Sequence, residues 1–251
     1  MLKFKLWKAV ACLAVLVAGA GRGEAANYNL ATLLAGGSFQ SGDKEFYDFQ
    51  GFTETGSKAP LGAANITLTT MSQPNRNLAD PINFPLPAGQ PACEWPCPTE
   101  YGFRMTGPFL VGQNETYNMG LDFKVRVLDP INNHCRMYAN ELELTGGSQG
   151  GGTVNVDENV THGLISLANK SVSLTSTMDR EYFTDNGTPI CVPDAQISLS
   201  LAMSAPNVLN AQANVGHVDI FFAQAIPEPS TYALLLLGSA GVGLMVRRKR
   251  A

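Results

Sequence analysis

Histidine is nearly absent from this chain: three occur in 251 residues, His134, His162 and His217. Three are still enough for one catalytic triad, so the count alone excludes none and the sequence around each candidate must decide. Basic charge is scarce where a polyanion would need it. Lys+Arg number 17 against Asp+Glu 21, a formal net charge of -4. Eight of those cations sit at the extremes, as Lys3, Lys5, Lys8 and Arg22 at the start and Arg247, Arg248, Lys249 and Arg250 at the finish. The remainder has a balance of about −10, which repels nucleic-acid phosphates and anionic lipid headgroups. Nucleic acid is therefore excluded as an expected partner. The interior also lacks any stretch with a convincing helical stripe.

Alternation takes the place of that stripe. Tyr117, Met119, Leu121, Phe123, Val125 and Val127 alternate with polar residues, the period-2 pattern of a strand with one face on a core. A second run is Ala195, Ile197, Leu199, Leu201 and Met203. Shorter candidates are Phe46 to Phe52, Ile66 to Thr70, Tyr101 to Met105, Arg136 to Leu144, Val154 to Val160, Leu164 to Leu167, Val172 to Met178 and Val218 to Ala223. Turn chemistry separates them at Asp129-Pro130, Gly146 to Gly152 and Asn186-Gly187, the last suited to a tight hairpin. About ten short strands with hairpin-length connections predict an all-β fold, an antiparallel β-sandwich or jelly roll over residues 26–225. Seven prolines between Met71 and Glu100 predict a long surface excursion over 71–100.

Both ends read as targeting segments. Residues 1–25 have three lysines, an apolar stretch from Val10 to Ala20, and small residues near Gly23 and Ala25, the layout of a secretory signal cut after Ala25 or Ala26. At the other end Pro227-Glu228-Pro229 precedes an apolar run from Thr231 to Val246 that includes Leu234, Leu237 and Leu244, and then the basic stop Arg247, Arg248, Lys249 and Arg250. Sixteen helical residues span about 24 Å, short of the bilayer core, a deficit that snorkelling arginines and local thinning cover. A basic end held inside and a body held outside agree with the N-terminal signal on orientation.

Those three parts in that order resemble the PEP-CTERM sorting tail over residues 226–251. The resemblance implies a Gram-negative, exopolysaccharide-producing source and an exosortase that processes the chain near Pro227, Glu228 and Pro229. It also implies transit through the inner membrane and periplasm to the cell surface or extracellular matrix. Five Asn-x-Ser/Thr sites raise the alternative of a GPI-anchored glycoprotein, but a GPI signal ends hydrophobic and this chain ends in a basic cluster, Arg247 to Arg250.

Within the body no catalytic constellation is expected, and no cofactor. Cys93, Cys97, Cys135 and Cys191 remain after signal removal, an even number that predicts two disulfides in an oxidising compartment. Cys93 with Cys97 and Cys135 with Cys191 is the preferred pairing over a zinc site using His134. Gly146-Gly147-Ser148-Gln149-Gly150 matches the G-x-S-x-G pattern of hydrolases, but glycines and a strand follow it where a nucleophile elbow needs a helix. The carboxylate pairs Glu141/Glu143, Asp157/Glu158 and Asp43/Glu45 read as solvated strand faces. Asp157, Glu158, Asp179, Asp185 and Asp194 form a weak calcium alternative. Trp95, inside the Cys93 to Cys97 loop, is the candidate sugar contact. A non-enzymatic surface or extracellular-matrix protein sorted by exosortase and associated with exopolysaccharide or biofilm is the leading expectation, with a carbohydrate-binding module and a secreted Ser148 hydrolase as alternatives.

Overall fold

A computed structural model of the chain describes residues 25–74, 95–96, 99–128, 136–174, 177–182, 184–185, 188–189 and 192–226. The elements run β1 (Asn27–Asn29), α1 (Leu30–Leu34), β2 (Phe39–Ser41), β3 (Lys44–Thr55), a 3-10 turn (Ala63–Asn65), β4 (Thr67–Pro74), β5 (Trp95–Pro96) and β6 (Thr99–Thr106). They continue with β7 (Leu110–Val111), β8 (Thr116–Val127), β9 (Arg136–Gln149), β10 (Thr153–His162), β11 (Ile165–Ser173) and β12 (Met178–Tyr182). Last come β13 (Thr184–Asp185), β14 (Thr188–Pro189), β15 (Asp194–Ser204) and β16 (Gln212–Ile226).

Two antiparallel sheets form a sandwich. The larger is ordered β1-β4-β6-β16-β9-β12, with β5 and β7 also paired to β16, and the smaller is ordered β11-β10-β15-β8-β3-β2. Alternation places the inward rows. Tyr117, Met119, Leu121, Phe123 and Val125 of β8 are buried, as are Ile197, Leu199, Leu201 and Met203 of the adjacent β15. Opposite them β16 supplies Val218, Ile220 and Phe222, and β6 supplies Phe103 and Met105. One end of this core is aromatic: Phe46 meets Phe103 edge-on at 5.2 Å and stacks on Phe39 at 5.1 Å, arrangements that add to area burial.

Helix α1 departs from the sequence expectation of an all-strand interior. Five residues are too few to show a periodic stripe, yet Asn29 caps the helix by accepting a hydrogen bond from Ala31 N (3.0 Å), and Leu30 and Leu33 bury against the core. Other boundaries move as well. The Gly146 to Gly152 turn shrinks to Gly150 and Gly151, both at positive φ, because β9 continues through Gln149. Gly146 is packed so closely on β16 that a Cβ there would lie 2.3 Å from Asn214 O, so glycine here permits a strand instead of breaking one. Leu164 is an exposed turn residue, Ile165 begins β11, and the proposed strand Val172 to Met178 is two elements, β11 ending at Ser173 and β12 beginning at Met178 in the other sheet. Met71 to Pro74 belong to β4, and Thr99 begins β6, so the proline-rich excursion is shorter than 71–100.

Tyr117 ties β8 to the loop after β3. Its hydroxyl donates to Glu54 Oε1 (2.7 Å), and the same carboxylate accepts from Leu61 N and Gly62 N, each at 2.9 Å. Burial pushes the Tyr117 phenol up from its ordinary value, and the Glu54 hydrogen bond pushes it further. The folded state thus holds this proton more tightly than the unfolded chain. The resulting stability is complete below tyrosine's ordinary 10.0 and is lost as pH rises above it. Urea titrations at stepped pH should show the wild type losing stability more steeply than Tyr117→Phe above about pH 10, with the variant about 1–2 kcal/mol less stable at neutral pH; parallel alkaline curves would contradict this assignment.

Candidate functional site at the junction of body and tail

Strand β16 lies between β6 and β9 in the middle of the larger sheet and runs to Ile226. Val218 to Phe222 pair with Met105 to Tyr101 on one side, and Val218 to Ala223 pair with Leu144 to Ala139 on the other. Near its end Ala225 faces Arg136 of β9 and Pro96 of β5, while Ile226 faces Trp95. The next residue is Pro227, which lacks the N–H a central ladder requires. The Pro-Glu-Pro segment therefore begins where the central strand stops, with no linker between. Among the described residues no helix is long and apolar enough to cross a membrane. Pro227, Glu228, Pro229, the apolar run Thr231 to Val246 and the basic stop lie outside the described residues.

The outward face of this sheet carries charge that is nearly inaccessible. Arg104 of β6 holds Asp219 of β16 through two hydrogen bonds, Nε to Oδ1 at 2.8 Å and Nη2 to Oδ2 at 2.7 Å, and Asp219 is 2% exposed. The bidentate bond to Asp219 raises the Arg104 guanidinium above its ordinary range. His217 Nε2 stands 3.7 Å from the same carboxylate. Toward β5, the Gln73 amide nitrogen lies 3.1 Å from both Glu100 Oε2 and Glu141 Oε1, and both glutamates are buried. Glu141 is therefore no solvated strand residue; alternation put it correctly on the outward row, but that part of the face is covered.

Glu158 corrects the sequence expectation more sharply. It points inward between Val156 and Val160 of β10, directly across from Lys170 of β11, and neither side chain is exposed at all. Glu158 Oε2 lies 3.2 Å from Lys170 Nζ, and Glu158 Oε1 accepts from Asn140 Nδ2 of β9 at 3.2 Å. The period-2 rule itself contained this result: Glu158 shares the parity of Val154, Val156 and Val160, and Lys170 that of Ala168 and Val172. Reading Asp157 and Glu158 as one pair obscured it, since neighbours on a strand face opposite ways.

The remaining candidates separate. Asp157 accepts from Asn155, Glu45 pairs with Arg126, and Asp43 pairs with buried Lys44. Ser148 is a β9 strand residue opposite Ala213, and the chain turns from it into β10, so the strand-to-helix elbow of a G-x-S-x-G nucleophile is absent. His162 bonds to Asp194 (2.8 Å), and His134 lies outside the described residues. Among the described residues no three metal-ligating side chains gather, so the weak calcium set is not assembled there. Cys93, Cys97, Cys135 and Cys191 lie outside the described residues. Trp95 has a fixed backbone position on β5.

Residues 225–250 match the model of the PEP-CTERM protein-sorting motif. The chain is thus an exported protein bearing a sorting tail, and the particular tail is that of an exosortase substrate. Among curated proteins no match is found. Solved structures similar to this chain include TmCBM61 in complex with beta-1,4-galactotriose, at 11% identity over 68% of this chain and 88% of that one, with a TM-score of 0.28. Another is the family 11 carbohydrate-binding module from Clostridium thermocellum in complex with a beta-1,3-1,4-mixed-linked tetrasaccharide, at 8% identity over 70% and 88%, with a TM-score of 0.19. At those scores the likeness carries no argument about a ligand.

The two ion pairs of contrasting burial give a direct test. Arg104→Ala strands the buried Asp219 carboxylate and should cost about 3 kcal/mol, whereas Arg126→Ala, at a more exposed pair, should cost less than about 1 kcal/mol. Equal shifts in urea midpoint would show that the Arg104 bridge is no stronger than a surface contact.

Proposed function

We propose that this is a non-enzymatic surface or extracellular-matrix protein, delivered by exosortase and associated with exopolysaccharide. One observation carries the reading: the sorting motif follows directly on the central strand of a closed β-body. Pro227, Glu228 and Pro229 follow the last residue of that strand directly in the sequence. The anchor residues Thr231, Leu234, Leu237, Leu244 and Val246 then hold an acidic body against the outer side of the inner membrane until processing. The N-terminal signal fits the same body. Ala26 N donates to Thr70 Oγ1 (2.8 Å), and Ala26 O accepts from Thr70 N (2.9 Å). A cut after Ala25 keeps both bonds, and a cut after Ala26 loses both. The four cysteines would complete the exported state: the Met137–Val192 bridge draws together the chain segments that follow Cys135 and Cys191, which favours that disulfide.

Trp95 supports a narrower reading as a glycan contact. Its backbone pairs with Ile226, the residue before Pro227 in sequence, and aromatic faces stack readily on sugar rings.

Truncation after Ile226 leaves every described strand intact and should abolish surface display and proteolytic processing, read by cell fractionation and by mass spectrometry of both termini. Unchanged display would overturn the sorting role. On a glycan array, Trp95→Ala should weaken binding at least tenfold without altering display; silence of the wild-type body, or binding that ignores the substitution, removes the glycan contact.

A further inference from the structure

We propose that the buried trio Lys170, Glu158 and Asn140 forms an intramolecular isopeptide bond, joining Lys170 Nζ to Asn140 Cγ and tying the two sheets together covalently. Three strands supply the groups: β11 an amine, β9 a carboxamide and β10 the carboxyl between them. One oxygen of Glu158 faces Lys170 Nζ at 3.2 Å and the other accepts from Asn140 Nδ2 at 3.2 Å. All three residues are at most 1% exposed, within inward rows that are otherwise apolar around them, such as Val156 and Val160, Ala168 and Val172, and Leu142 and Leu144. Asn140 Nδ2 also makes a long contact of 3.5 Å to Phe221 O.

As a static ion-pair network this arrangement is poor. Among the described residues Asn140 Oδ1, Glu158 Oε2 and Lys170 Nζ have no hydrogen-bond partner, because the short approach of Lys170 to Glu158 lacks the required alignment. Buried groups left unsatisfied cost free energy, and a half-satisfied network is worse than an apolar core. The same features suit condensation. A water-free site protects an amine nucleophile from solvation and the new bond from hydrolysis. The adjacent carboxyl is placed to move a proton from nucleophile to leaving group.

The step balances without any other reagent. In the proposed step Glu158 first takes a proton from the Lys170 ammonium, which frees the amine as the nucleophile. Nζ attacks Asn140 Cγ, the Nζ–Cγ bond forms, and a proton passes from Nζ through the Glu158 carboxyl to Nδ2. The Cγ–Nδ2 bond breaks, ammonia leaves, and Glu158 again holds its proton. The amide replaces a buried charge pair with a neutral group. It also links β9 of the larger sheet to β11, the edge strand of the smaller one.

Peptide mass spectrometry of the full chain, purified in its processed form and digested with trypsin and a glutamate-specific protease, tests this, because trypsin alone leaves Asn140 and Lys170 on one peptide whereas cuts after Glu141, Glu143 or Glu158 separate them. The expected product is one branched peptide joining the Asn140 fragment to the Lys170 fragment, uncut after Lys170 and about 17 Da lighter than the Asn140 fragment and the uncut Lys170 fragment together, the mass of ammonia. Fragmentation assigns the branch to Nζ and distinguishes it from a succinimide at Asn140. Glu158→Gln should yield the two linear peptides at full mass. Linear peptides from the wild type would overturn the proposal, as would a loss of about 18 Da with Lys170 joined to Glu158, the mass of water. A branched peptide persisting in Glu158→Gln would overturn the role given to that carboxyl. The wild-type result decides whatever the variant's folding, and none of these outcomes bears on sorting.

Discussion

The placement of β16 governs the structure. It is the last strand of the body, yet it fills the gap between β6 and β9, so the larger sheet is continuous only when the chain from Gln212 to Ile226 has been inserted. Its inward side chains Val218, Ile220 and Phe222 close the core over the aromatic cluster, and its outward Asp219 receives Arg104 from β6. Pairings with β6 span more than a hundred residues of sequence, a non-local arrangement that slows folding because its loop-closure entropy opposes it. A sorting tail fused to such a strand becomes a property of the folded body. The strand to which the motif is joined in sequence is part of a finished sheet.

Two devices guard the fit of that strand. Gly102 of β6 faces it so closely that a Cβ would come within 1.8 Å of Ile220 O, so the β6–β16 approach tolerates no side chain there. The Arg104–Asp219 pair fixes register, because a one-residue slip would turn Asp219 into the core and break the bidentate bond. On the far side, Asn140 of β9 reaches inward to Glu158, connecting the sheet to its partner through a polar contact that an apolar side chain could not make.

Much of this was legible in the residues. The long alternating runs gave β8 and β15 to within a residue of their ends, and they gave the two-sheet class, since apolar rows of that length must face another layer. Turn residues told less. Strands β13 and β14, which flank Asn186-Gly187 in sequence, do pair, but the glycines at 146 and 147 sit inside β9, where close packing on β16 selects the first of them. Short elements escaped for a plain reason: α1, β1, β2 and β7 contain five residues or fewer, and β1 and β7 pair with strands far along the chain, although β2 pairs with its neighbour β3. The buried carboxylates were mislocated because ionisable side chains rarely enter a core unpaired. Partners such as Lys170 for Glu158 become visible only when strand register is known.

The sorting tail was legible without any of this, because its signal depends on order along the chain alone. The structure contributes its attachment point. If β16 is the keystone of the sheet, its amides should exchange with solvent only through global opening. Hydrogen–deuterium exchange followed by mass spectrometry measures this directly on the body truncated after Ile226. The account predicts that peptides covering Val218 to Phe222 rank with those of β8 and β15 as the most protected in the molecule. Exchange there as fast as in the exposed turn at Leu164 would show that the central strand is only loosely held, and the account would fail.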